Sequence, residues 1–145
     1  MTSRGRLPRE VVREVCSLAE ASPDREICGF VLAGQAGEEV VPVPNVAEDP
    51  RRGFRIAPEI VLAVLRSADV PGRRLVALYH SHPTGGAQLS SSDLAGLVMD
   101  GRPTLPGVDL WVLYLESGKV QEVRSFSWRR GGYGEAARLR PPLDR

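Results

Sequence analysis

The chain is poor in the residues that usually advertise a compartment or a charged partner. In 145 residues it has two histidines and two cysteines, and aromatic residues make up 6%. Cys16 and Cys28 form no C-x-x-C unit and make a poor disulfide framework, so we read them as reduced thiols. A formal net charge of +1 supplies no field that would mark nucleic acid or an acidic membrane surface as a partner. No apolar run approaches transmembrane length, and Met1 to Arg9 lacks the apolar core of a secretory signal. A cytoplasmic location is therefore expected. Internal repeats and low-complexity blocks are absent too. What remains is ordinary for one globular domain, with 42% hydrophobic and 26% charged residues.

Scarcity makes the histidines informative. His80 and His82 stand two residues apart, directly after the apolar run Leu75 to Tyr79. Side chains on a strand alternate, so both imidazoles share one face and Ser81 points to the other. Pro83, Thr84, Gly85 and Gly86 then turn the chain into a helix-like pattern with Leu94, Leu97 and Val98 on one side. Ser90 and Asp93 fall in its first turn. The positive end of a helix favours an ionised carboxylate, which leaves Asp93 free to return to the strand end as a third ligand. Two nitrogens and one carboxylate oxygen suit zinc, and the open fourth place for water marks a catalytic site. Ser-x-x-Asp at a helix start also reads as a capping arrangement without chemistry. A two-histidine, one-carboxylate iron site is a further reading. It ranks lower, because in many such sites the short pair is a histidine with a carboxylate.

Around this stretch the patterns predict a chain in which helices and strands intermix, an α/β or α+β layer about one sheet. Leu7, Val11, Val15 and Leu18 predict an amphipathic helix over 8–21, with Pro8 suited to its first turn. Ile27 to Ala33 reads as a buried strand, Gly34 to Gly37 as a hairpin turn, and Val40 to Val43, interrupted by Pro42, as an edge strand. A polar loop, Asn45 to Gly53, is long enough to line a substrate groove. Phe54 to Ile56 suggests a brief strand. Pro58 opens a second helix with Val61, Val64, Leu65 and Ala68 on one face, and Ile60 and Leu62 suggest burial on another. Gly101 to Gly107 is a turn-rich connection, and Val108 to Leu115 pairs with Lys119 to Phe126 as a hairpin. Trp111 and Tyr114 read as core. Residues 1–127 form the domain on this reading, and 128–145, with Arg129, Arg130, Arg138, Arg140 and Arg145, a loosely ordered tail.

His80-Ser81-His82, seven residues, then Ser90-x-x-Asp93 resembles the signature of the JAMM/MPN-plus metalloprotease family, whose pattern begins with a distant glutamate. Glu26, within Pro23 to Phe30, matches that glutamate. Asn45-Val46-Ala47, Pro50, Phe54 and Pro58 resemble the connecting segment of its short bacterial members. Leu89 departs from the pattern, where many members have proline. The resemblance implies a curved mixed sheet flanked by helices, of the cytidine-deaminase-like type. It also implies one zinc ion per chain on His80, His82 and Asp93, with Glu26 as general base and Ser90 as oxyanion donor. The implied reaction is hydrolysis of an amide or isopeptide bond after the C-terminal Gly-Gly of a ubiquitin-like or sulfur-carrier protein. A metal-free MPN scaffold is the alternative, opposed by the intact set of five residues.

Overall fold

Helix α1 (Arg9–Ala21) forms where the apolar spacing predicts it, with Pro8 at its N-cap and Val11, Val12, Val15, Cys16 and Ala19 buried. Among residues 5–143, which this computed structural model describes, α1 covers one face of a six-stranded sheet. Strands β1 (Cys28–Gly34) and β2 (Gly37–Val43) make the expected hairpin, and β2 lies at a sheet edge. Helix α2 (Pro58–Ala68) leads to β3 (Arg74–His82), which pairs with β1. Helix α3 (Ser91–Leu97) and a two-stranded ribbon, β4 (Val98–Met99) with β5 (Arg102–Pro103), follow. The chain closes with β6 (Asp109–Glu116), β7 (Lys119–Arg129) and β8 (Gly132–Leu139). The sheet order is β2-β1-β3-β6-β7-β8, and only the β3–β6 pair is parallel. A parallel neighbour requires a crossover from one end of the sheet to the other. That crossover carries α3.

Alternation along the strands separates two cores. Val31, Ala77, Tyr79, Trp111 and Leu113 pack beneath α1. Phe30, Leu78, Leu110, Val112 and Phe126 face the other way, against Val64 of α2 and Leu97 of α3. Neighbouring partners Gly29, Tyr79 and Trp111 form a row across three strands. A Cβ at Gly29 would run into the Tyr79 phenol and the Val41 carbonyl, so only glycine fits there. The register also decides the site. Leu78 faces the α2–α3 side, and so do His80 and, two residues on, His82.

Several expectations need correction. The 128–145 segment, expected as a loosely ordered tail, instead extends β7 to Arg129 and forms β8, paired from Val123↔Leu139 to Arg129↔Gly132. Asp144 and Arg145 lie outside the described residues. Of the arginines that suggested a solvated tail, Arg129 and Arg138 are strand residues, and the buried carboxylate of Glu122 meets Arg138 at 3.5 Å and Arg140 at 3.2 Å, beside Arg124 of β7 at 2.9 Å. Ala137 and Leu139 meanwhile pack under α1. Phe54 to Ile56 is not a strand; Phe54 and Ile56 fold inward against the α2–α3 core. Only Val64 of α2 is fully buried and Leu62 is 47% exposed, so one face of this helix packs, not two. Helix α3 ends at Leu97, and Val98 already belongs to β4.

Candidate metal centre

Three elements converge at the C-terminal end of β3. His80 and His82 are buried on one strand face, and Asp93 is buried in the first turn of α3. The Nε2 atoms of His80 and His82 are 3.0 Å apart, and Asp93 Oδ2 lies 3.1 Å from each. His82 Nδ1 is 2.8 Å from the Gly86 carbonyl, an acceptor only, so Nδ1 carries the proton and Nε2 turns a lone pair to the centre. Gly85 and Gly86 have φ of 95° and 87°, a conformation costly for any residue with a Cβ. Their turn brings that carbonyl back. The third atom is set by a capping box: Asp93 N–H donates to Ser90 Oγ and Ser90 N–H to Asp93 Oδ2, both at 3.0 Å. Capping and site geometry are therefore one arrangement, not alternatives.

A triangle of donors this tight fits a metal better than it fits hydrogen bonds. With His82 neutral and its proton on Nδ1, the Asp93 carboxylate and the Nε2 lone pair face each other unshielded at 3.1 Å unless a cation lies between them. Zinc bonds of about 2.0–2.1 Å give a tetrahedron with edges of roughly 3.3 Å, close to the spacing here. Electrostatics agree. Burial opposes the charge on Asp93, but the two imidazoles and the Ser90 backbone N–H outweigh it and hold the carboxyl far below its usual range. Burial lowers the pKa of His80, which favours a neutral imidazole.

Glu26 arrives from the segment before β1. Its ligand atom and those of the three other residues all lie within 4.8 Å of one another. It is 5% exposed, its Oε1 is buried without a hydrogen-bond partner, and burial pushes its pKa up to about 7, with His82 lowering and Asp93 raising it. An orphaned buried oxygen is expensive unless something occupies the space before it. The 45–56 loop then closes the site: Phe54 stacks on His80 with centroids 4.4 Å apart. Beside Asp93 opens a cavity of about 630 Å³, floored by Phe30, Ile56, Val61, Leu78 and Leu97 and edged by Arg52.

Every site residue expected from the sequence is brought to this one place. Three more were missed. Phe54 and Asn45 stood out only as matches in a connecting segment, and Ser81 only as the residue pointing away; the Gly85-Gly86 pair was the sole local signal for the second partner of His82.

Residues 8–131 match the model for prokaryotic homologs of the JAB domain. The chain belongs to this family. It is 37% identical over 79 residues to the desampylase of Haloferax volcanii, covering 52% of this chain and 56% of that protein. Over 88 residues it is 31% identical to a probable TtuB-protein conjugate cleaving protease of Thermus thermophilus, covering 61% and 60%. The chain thus spans little more than half the length of these curated relatives. The JAB fold itself is shared with a solution structure from Desulfitobacterium hafniense, with TM-score 0.67, 22% identity, and coverage of 87% of this chain and 85% of that one. A solution structure from Salinibacter ruber gives TM-score 0.58 and 22% identity, covering 94% and 90%.

Proposed function

We propose that the protein is a zinc metallopeptidase that cleaves the amide or isopeptide bond after the C-terminal Gly-Gly of a ubiquitin-like or sulfur-carrier protein. The observation that carries this reading is the buried triangle of His80, His82 and Asp93 with a Glu26 carboxylate oxygen within 4.8 Å of it. The names of the two relatives, a desampylase and a conjugate-cleaving protease, support the substrate class. A scaffold that had lost its metal would have no reason to keep so costly a set of buried polar groups.

His80, His82 and Asp93 would hold the zinc, which when bound lowers the pKa of water from 15.7 to about 7 and polarises the substrate carbonyl. Glu26 is the base: its carboxylate takes the proton from the attacking water and passes it to the departing amine. A pKa of about 7 suits a group that must do both near neutral pH. Ser90 Oγ accepts the Asp93 N–H, which leaves the hydroxyl hydrogen to donate to the developing oxyanion. The cavity beside Asp93 receives the substrate chain and, with Phe54 over His80, limits water around the reacting bond.

The test is hydrolysis of a ubiquitin-like carrier extended beyond its Gly-Gly end, read by intact mass, with metal content measured on the same preparation. Cleavage directly after the second glycine, abolished by chelator, is expected. Glu26→Gln should keep its zinc and lose most turnover; near-wild-type turnover would rule out the assigned base.

A further inference from the structure

We propose that Ser81, the residue between the two histidines, is the positioning residue of the general base, with Asn45 completing the clasp. This rests on the peptidase reading. Ser81 points away from the metal ligands and is 1% exposed, yet it is not simply packed. Its Oγ accepts the N–H of Ile27 at 2.8 Å and donates to the carbonyl of Arg25 at 3.4 Å, while its own N–H donates to the Ile27 carbonyl at 3.0 Å. The backbone on both sides of Glu26 is therefore held by one side chain. Glu26 itself is held by the 45–56 loop: its N–H donates to the Pro50 carbonyl at 2.7 Å, and Asn45 Nδ2 donates to its carbonyl at 2.8 Å. Asn45 Oδ1 in turn accepts from Ala47 and Arg55, each at 3.0 Å, which fixes the loop.

The clasp is needed because Glu26 precedes the first residue of β1 and gains no positioning from the sheet ladder. Its Oε1 has no hydrogen bond to aim it. Location of the carboxylate must come from the backbone, and the backbone is tied to the same strand that carries the histidines. One face of β3 presents the ligands; the other registers the base against them. A displacement of about 1 Å in a catalytic group costs roughly 10²-fold in rate, so a lost clasp should be visible in turnover.

Ser81→Ala is the test, beside Ser81→Thr, which restores the hydroxyl on a side chain suited to a strand. The expected result for Ser81→Ala is a fall in kcat of about 10- to 100-fold with KM nearly unchanged and zinc still at one per chain, and Ser81→Thr should recover most of it. In a Glu26→Gln background, Ser81→Ala should change the residual rate less than about two-fold, because the group it positions is already gone. Amide exchange of Ile27 in the metal-free protein should accelerate in Ser81→Ala and recover in Ser81→Thr. Loss of zinc, an unchanged kcat, or an equal fall in the Glu26→Gln background would each overturn the inference. If Glu26→Gln keeps wild-type turnover, the assigned base is wrong and this inference falls with it, whereas no chelator-sensitive cleavage by the parent protein would overturn the peptidase reading itself. Should Ser81→Ala not fold, Ser81→Cys, of similar size with a poor acceptor, takes its place with the same outcomes.

Discussion

Glu26 meets two opposed demands, and the conflict is measurable. The proposed role as base needs its charge, whereas burial penalises it and raises the pKa from 4.5 to about 7. Between those values the folded protein holds a proton that the unfolded chain has released, so its contribution to stability declines as pH rises through that window. Above pH 7 the full penalty remains. Metal-free Glu26→Gln should thus be more stable than the metal-free parent at pH 8, by on the order of 2 kcal/mol, and equal to it near pH 4. Urea unfolding at the two pH values checks this; equal midpoints at pH 8 would show that the carboxylate is not destabilising. Ser90 makes the opposite kind of prediction, since its observed capping and its proposed oxyanion donation would share one hydroxyl. Ser90→Ala should lose about 1 kcal/mol through the cap and about 10²- to 10³-fold in kcat per folded molecule. Stability loss with kcat intact would confine Ser90 to capping.

Among the elements, β8 is the one whose role could not be read along the chain. The run Gly132 to Leu139 alternates small and charged residues, with little of the branched or aromatic content that signals a strand. Its stability comes from partners far away in sequence: Glu122 on β7 and the apolar face under α1. By contrast, the stretch from His80 to Asp93 was legible because strand alternation, a glycine turn and a helix start are all local. Glu26 lay between these extremes, since its carboxylate gains meaning only from strand pairing with β3. Truncation after Arg130 separates a tail from a strand. A tail would leave the melting temperature unchanged; removal of β8 should lower it by several degrees, through exposure of the β7 edge and the loss of Arg138 and Arg140 from Glu122, which keeps only Arg124. Thermal unfolding followed by circular dichroism distinguishes the two.

At the scale of the molecule, stability and metal occupancy are linked, because the donor triangle exists only in the folded state. A metal present at about 1,000 times its Kd adds about 4 kcal/mol. Calorimetry should show a drop of several degrees on chelation, reversed by zinc, and none in His82→Ala. The order in which the site is built follows from where its parts lie in the chain. Asp93 is 13 residues from His80, whereas the Ser81–Ile27 contact that brings in Glu26 spans 54. Short loops close at less entropic cost than long ones. A growing chain can therefore gather its ion from the local segment while the base is still distant, and it stays inert until β1 docks. On the proposed function, holding the ion and being able to hydrolyse would thus be separate events in folding, the second waiting on the docking of β1 against β3.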